Sequence, residues 1–116
     1  MSEIQRHQAS SRMSQAVVHN GTIYLAGQVS NADVADVKSQ TTAILTQIDA
    51  LLAKCGSDKS RILSATIYLA DIGTFDLMNE AWEAWGASGE LPARTTVEAK
   101  LAAPQYLVEI TVIAAQ

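Results

Sequence analysis

The chain has 116 residues, 48% of them hydrophobic and 17% charged, which suits one buried core and excludes a disordered polymer. Twelve acidic against 8 basic residues give a formal charge of -4, so partners held by a basic field, nucleic acid and acidic membranes among them, are disfavoured. The single Cys55 excludes an intrachain disulfide, and no second Cys or His stands beside it at metal-ligand spacing; a reducing cytoplasm is the expected compartment.

Residues 1–12 lack the apolar segment of a signal peptide, and no run approaches the ~20 apolar residues of a membrane span. Neither repeat nor linker divides the sequence, so one domain over 1–116 is expected. There is room for a short strand near Ile4. Residues 14–19 and 22–26, rich in Val, Ile and Tyr, flank Asn20 and Gly21, the pair that supplies the positive φ angles of a type I′ hairpin turn. Gly27 reads equally as a plain turn glycine or as a place for a bulge or a ligand's close approach to the backbone.

Between 33 and 55, apolar residues recur at Val34, Val37, Ile44, Leu45, Ile48, Leu51, Leu52 and Cys55, with Thr41 in the remaining slot, which predicts a long helix. Asn31 or Asp33 would cap its start and Gly56 would end it. Cys55 falls on the inward stripe as a small buried hydrophobe. Residues 61–70 read as a central strand, with Ile62, Ser64, Thr66 and Tyr68 on one side and Leu63, Ala65, Ile67 and Leu69 on the other. Thr74 is predicted to cap a second helix through its side chain. Phe75, Met78, Ala81, Trp82 and Trp85 form that helix's inward stripe before Gly86 and Gly89. The two Trp residues read as core, with a stacking platform for a ligand ring as the alternative.

Pro92 sits just outside a predicted strand over 95–101, whose Thr95, Val97, Ala99 and Leu101 share the apolar face while Arg94, Thr96, Glu98 and Lys100 share the polar one. The last strand, LVEITVIAA, is apolar on both faces except at Glu109 and Thr111. A lone carboxylate there needs a partner, and spacing alone favours an ion pair of Arg94 with Glu109 or Glu98. The order β-β-α-β-α-β-β describes an α+β sandwich with a mixed sheet and both helices on one face. Two helices cover only one side of a sheet, so the apolar surface of the last strand implies self-association.

With these elements laid out, the chain resembles the Rid or YjgF-type family, whose best-described members are imine and enamine deaminases. The resemblance rests on PARTTVEA at 92–99 followed by VEITVIAA at 108–115. It is supported by SQAVV from Ser14, LAGQV from Leu25 and the stretch ATIYLADIGTFDLMNEAWEAW. It implies a chorismate-mutase-like fold of the bacillary type, assembled as a homotrimer around a central barrel, with ligand sites in the clefts between subunits and no cofactor or metal. It also implies that Arg94 binds a substrate carboxylate, that Thr96 presents backbone groups, and that Glu109 positions water, with Gly27 and Met13 among the substrate-binding residues. A guanidinium fork suits a planar carboxylate, and a second carboxylate can orient or deprotonate water for attack on an imine carbon.

The sequence departs from that family at the segment before SQA, where Ser11, Arg12 and Met13 replace the usual Gly-Pro-Tyr, and a thioether cannot donate the hydrogen bond of a phenol. Arg12 reads as a second cation near the cleft or as a solvated edge residue. The segment 101–105, LAAPQ, is also altered. The expected activity is hydrolysis of 2-imino acids to 2-oxo acids and ammonia; the alternative is a non-catalytic trimer that binds small carboxylates or regulates a partner. RNA cleavage is disfavoured by the acidic balance and by the lack of clustered His or Lys. His7 and His19 are the only histidines and form no catalytic constellation.

Overall fold

Asn20 and Gly21, at φ 52° and 77°, take the left-handed pair of a type I′ turn and join β2 (Ser14–His19) to β3 (Thr22–Leu25) in the expected hairpin. The computed structural model describes residues 3–30 and 36–116. In it β1 (Gln5–Ala9) pairs antiparallel with β2, β4 (Gln28–Val29) follows β3, and helix α1 (Val37–Lys54) leads to β5 (Ile62–Leu69). Helix α2 (Phe75–Trp85) then crosses to β6 (Ala93–Glu98), which lies parallel to β5, and β7 (Val108–Ala115) runs antiparallel between β3 and β5. The sheet order is β1-β2-β3-β7-β5-β6, with β4 also on β7, so β6 is a terminal strand.

Both helices pack on one face. Along β7 the residues Val108, Ile110, Val112 and Ala114 are at most 1% exposed, and with Ala65, Ile67 and Leu69 of β5 they meet Ile44, Leu45, Ile48 and Leu52 of α1 and Met78 and Trp82 of α2. The opposite, open face carries Glu109, Thr111 and Ile113 from β7, Thr66 and Tyr68 from β5, and Tyr24 from β3. Among the described residues no helix is long and apolar enough to cross a membrane.

The helix ends obey local chemistry. Asp36 caps α1 by accepting from the Ser39 amide at 2.8 Å; Asn31 and Asp33, the caps expected from sequence, lie outside the described residues. At the other end Gly56, at φ 78°, permits Ser57 N to reach Leu52 O and Gly56 N to reach Ala53 O, the paired bonds of a Schellman close. Thr74 corrects the expectation for α2, because it makes no side-chain cap. A 3₁₀ turn over Ile72–Thr74 precedes the helix, and within it the Thr74 hydroxyl donates to Asp71 O. Of the inward stripe, Met78, Ala81 and Trp82 are buried, whereas Phe75 is 37% exposed.

The largest correction concerns β6. It ends at Glu98 rather than continuing to 101, and its faces are reversed: Arg94 and Thr96 are half-buried on the helix side, while Val97 is 40% exposed on the open face. Its register fixes this, since Arg94 pairs with buried Ala65 and Thr96 with buried Ile67, whereas Val97 pairs with Tyr68. The loop after β6 is tied to α1 by Gln40, which is fully buried; its amide donates to Gln105 O at 3.0 Å and its oxygen accepts from Leu107 N at 2.9 Å.

Candidate functional site

Strands β3 and β4 both lie along β7, but the four residue steps from Tyr24 to Gln28 oppose only three from Ile113 to Ile110. The extra residue makes a bulge at Ala26 and Gly27, a place where ladder pairing lapses and side chains are re-aimed. Thr111 braces it, its hydroxyl donating to Leu25 O at 2.8 Å. Glu109, two residues along the same face, lies over Gly27: a Cβ at residue 27 would overlap the carboxylate, with Glu109 Cδ at 2.9 Å and Cγ at 3.2 Å. Gly27 is thus the close-approach glycine, and the group approaching it is this carboxylate.

Gly27, Glu109, Thr111 and Tyr68 line an open cavity of about 460 Å³ bordered by Lys100 and neighbouring residues of the loop after β6. Among the described residues the Glu109 carboxylate forms no hydrogen bond or ion pair. The ion pair anticipated from spacing is therefore not formed; Glu98, its other suggested acid, accepts from the Ile72 amide.

Arg94 lies elsewhere. Its guanidinium donates to Asn79 Oδ1 at 2.7 Å and sits 5.2 Å from the Trp82 ring centre and 5.7 Å from that of Phe75, contacts that hold a half-buried cation against aromatic faces. Burial pulls its pKa below the ordinary value, and nearby Glu83 opposes that shift; arginine nevertheless stays the fixed cation of the region. Arg94, Asn79, Trp82, Glu83, Leu91 and Pro92 line a second hollow of about 340 Å³. Trp82 is core, as expected, at 5% exposure, and it doubles as a platform for a guanidinium. Trp85 packs against it at 5.2 Å between ring centres, with its indole N–H on the Asp49 carboxylate.

Thr96 shares the helix side with Arg94. Since the Ala99 amide bonds inward to Leu69 O, strand alternation turns the N–H and C=O of Thr96 toward the outer edge of the sheet. Its buried hydroxyl has no partner among the described residues. Met13 is 51% exposed in the turn between β1 and β2 and lines neither hollow. The single chain therefore brings Gly27 and Glu109 together and keeps Arg94 on the other face. Sequence reasoning missed Asn79, Lys100 and Tyr68 as site residues; Tyr68 left a signal in sharing one side of an alternating strand with Ser64 and Thr66, and Lys100 in its place on the polar side of the next.

A mixed sheet with helices on one face and an unneutralised carboxylate in a bulge cavity on the other is the α+β class that fold and site define. A model of the endoribonuclease L-PSP family matches residues 3–116. A RutC family protein, YoaB, from Escherichia coli strain K12 is 51% identical over 112 residues, covering 97% of each chain, and one from Haemophilus influenzae is 46% identical, covering 96% of this chain and 97% of its own. Among solved structures, a YjgF-family member from Neisseria meningitidis superposes with a TM-score of 0.95 at 45% identity, covering 98% and 95% of the two chains. A Rid-family protein from Yersinia pestis gives 0.86 at 34% identity, covering 93% and 90%. The chain belongs to the endoribonuclease L-PSP family, that of the YjgF, Rid and RutC proteins.

Proposed function

We propose that this chain hydrolyses reactive imine and enamine intermediates, 2-imino acids above all, to 2-oxo acids and ammonia, without a cofactor, in clefts between the subunits of a homotrimer. The observation that carries this reading is that Arg94 and Glu109 occupy opposite faces of one sheet. One small ligand reaches both only where the β6 edge of one copy meets the open face of another. That open face exposes Tyr24 at 47%, Val97 at 40% and Ile113 at 36%, apolar surface that neighbouring sheets would cover in a chorismate-mutase-like central barrel.

In such a cleft Arg94 grips the substrate carboxylate through its fork, and the edge amide of Thr96 adds a further donor. Water held by Glu109 adds to the iminium carbon as its proton passes to the carboxylate. The carbinolamine nitrogen then takes that proton back. The C–N bond breaks, ammonia departs, and the hydroxyl proton is lost through Glu109 as the 2-oxo group forms.

The test generates 2-imino acids with an amino-acid oxidase and follows their decay and ammonia release with and without the protein. Wild type should accelerate both, and Glu109→Gln should lose turnover while still binding pyruvate. Exposed Met13, which offers no hydroxyl, favours a second reading, a non-catalytic binder of small carboxylates. Arg94-dependent pyruvate binding with no acceleration for any side chain would establish that reading instead.

A further inference from the structure

Tyr68 and Glu109 are register partners across β5 and β7, so their side chains leave the open face side by side, with Cβ atoms about 4.5–5.5 Å apart. Both line the 460 Å³ cavity. Glu109 leans over Gly27, toward β4 and away from β5, which leaves the cavity with a carboxylate on one flank and a phenol on the other. Of the other polar groups there, the Thr111 hydroxyl is committed to Leu25 O at 2.8 Å, and Lys100 offers a flexible cation. Among the described residues the Tyr68 hydroxyl has no hydrogen-bond partner. It is therefore the cavity's uncommitted hydroxyl, and Met13 lines no part of this cavity.

We propose that Tyr68 is a substrate-contacting residue, its hydroxyl hydrogen-bonded to the imine nitrogen of the substrate, across from the water on Glu109, and to the 2-oxo oxygen of pyruvate when that acid binds with its carbonyl in the imine's place. A phenol both donates and accepts, so it can accept from the iminium N–H and stay on that nitrogen through the carbinolamine until ammonia departs, without transferring a proton. The chemistry rests on the imine-hydrolysis reading; the contact rests on the cavity alone. Facing groups of this kind fix the trigonal carbon between nucleophile and hydrogen-bond partner.

The decisive variant is Tyr68→Phe, which keeps the ring and deletes the hydroxyl. Pyruvate affinity, measured by titration calorimetry, should fall roughly three- to tenfold, and kcat on oxidase-generated 2-imino acids should fall at least about tenfold with a smaller change in KM. Adding Met13→Tyr to Tyr68→Phe should not restore pyruvate affinity if the contact belongs to this cavity. Unchanged affinity and kcat in Tyr68→Phe overturn the proposal, and so does full recovery of affinity by the Met13 change. A wild type that binds pyruvate without turnover, with weaker binding in Tyr68→Phe, removes the proposed reaction and leaves the contact standing. If neither pyruvate nor imine engages the wild type, both readings fall. Should Tyr68→Phe not fold, ring-labelled tyrosine in the intact chain decides by NMR: with 3 tyrosines to assign, absence of a Tyr68 shift on pyruvate addition overturns the contact.

Discussion

Gly27→Ala separates site from scaffold. The φ of Gly27 lies outside the left-handed range, so the backbone accepts a Cβ, and the obstacle is the end of the Glu109 side chain, with Cδ at 2.9 Å and Cγ at 3.2 Å from the added atom. Ordinary contacts begin near roughly 3–3.5 Å and the Glu109 Oε2 atom lies nearer still than Cδ, so the carboxylate must retreat by roughly 1 Å or more. A displacement of that size at a reacting group costs up to about a hundredfold in rate. The expected outcome is a kcat lower by about ten- to a hundredfold, near 1.4–2.7 kcal/mol of activation free energy, while stability stays within about 1 kcal/mol of wild type. Gly21→Ala is the control: at φ +77° with open space around it, it should lose about 1 kcal/mol of stability to left-handed strain and leave the cavity untouched. Imine decay and urea denaturation on both variants make the comparison. Undiminished turnover in Gly27→Ala would refute the placement of Glu109 as the water-holding group, and collapse of its fold would refute the backbone argument.

Arg94→Ala should abolish pyruvate binding, and Arg94→Lys should restore little, because the lost fork is worth about 1.5–3 kcal/mol; calorimetry reads both. Trp82→Ala should cost about 3–5 kcal/mol in chemical denaturation, since the ring is buried under Arg94 and against Trp85. Burial pushes the Cys55 thiol above its ordinary value, so alkylation by iodoacetamide at pH 8 should be slow in the native protein and accelerate on unfolding. The Ser39 amide holds the Asp36 carboxyl below its ordinary 3.8. The stability difference between wild type and Asp36→Ala should therefore be fully present above that value and vanish as pH falls through the lower native one, as thermal melts against pH will record.

Where one or two residues dictate the geometry, the fold was legible: Asn20 and Gly21 specify their turn, and the stripe from Val37 to Cys55 specifies its helix. Thr74 misled because capping was inferred from residue type, whereas the 3₁₀ turn before it had already turned the hydroxyl back to Asp71. For β6, periodicity told which residues share a face without telling which face meets the helices. A cation stacked on Trp82 reversed the hydrophobic expectation. At the site, Glu109 stood out as a carboxylate in an apolar strand, and Gly27 stood out as the glycine ending a hairpin. Their meeting, and the presence of Tyr68 beside them, depends on the registers of β4 and β5 against β7. No spacing along the chain encodes those registers.

The buried amide of Gln40 has a consequence for how the cavity behaves in time. To swing aside as a lid, the loop beyond β6 would have to surrender both bonds that Gln40 makes at Gln105 and Leu107, each formed with a fully buried side chain. The wall that Lys100 and its neighbours raise around Glu109 is thus anchored from the far side of the sheet. That side of the hollow is held in place by the fold of the single chain, before anything binds or a second copy docks.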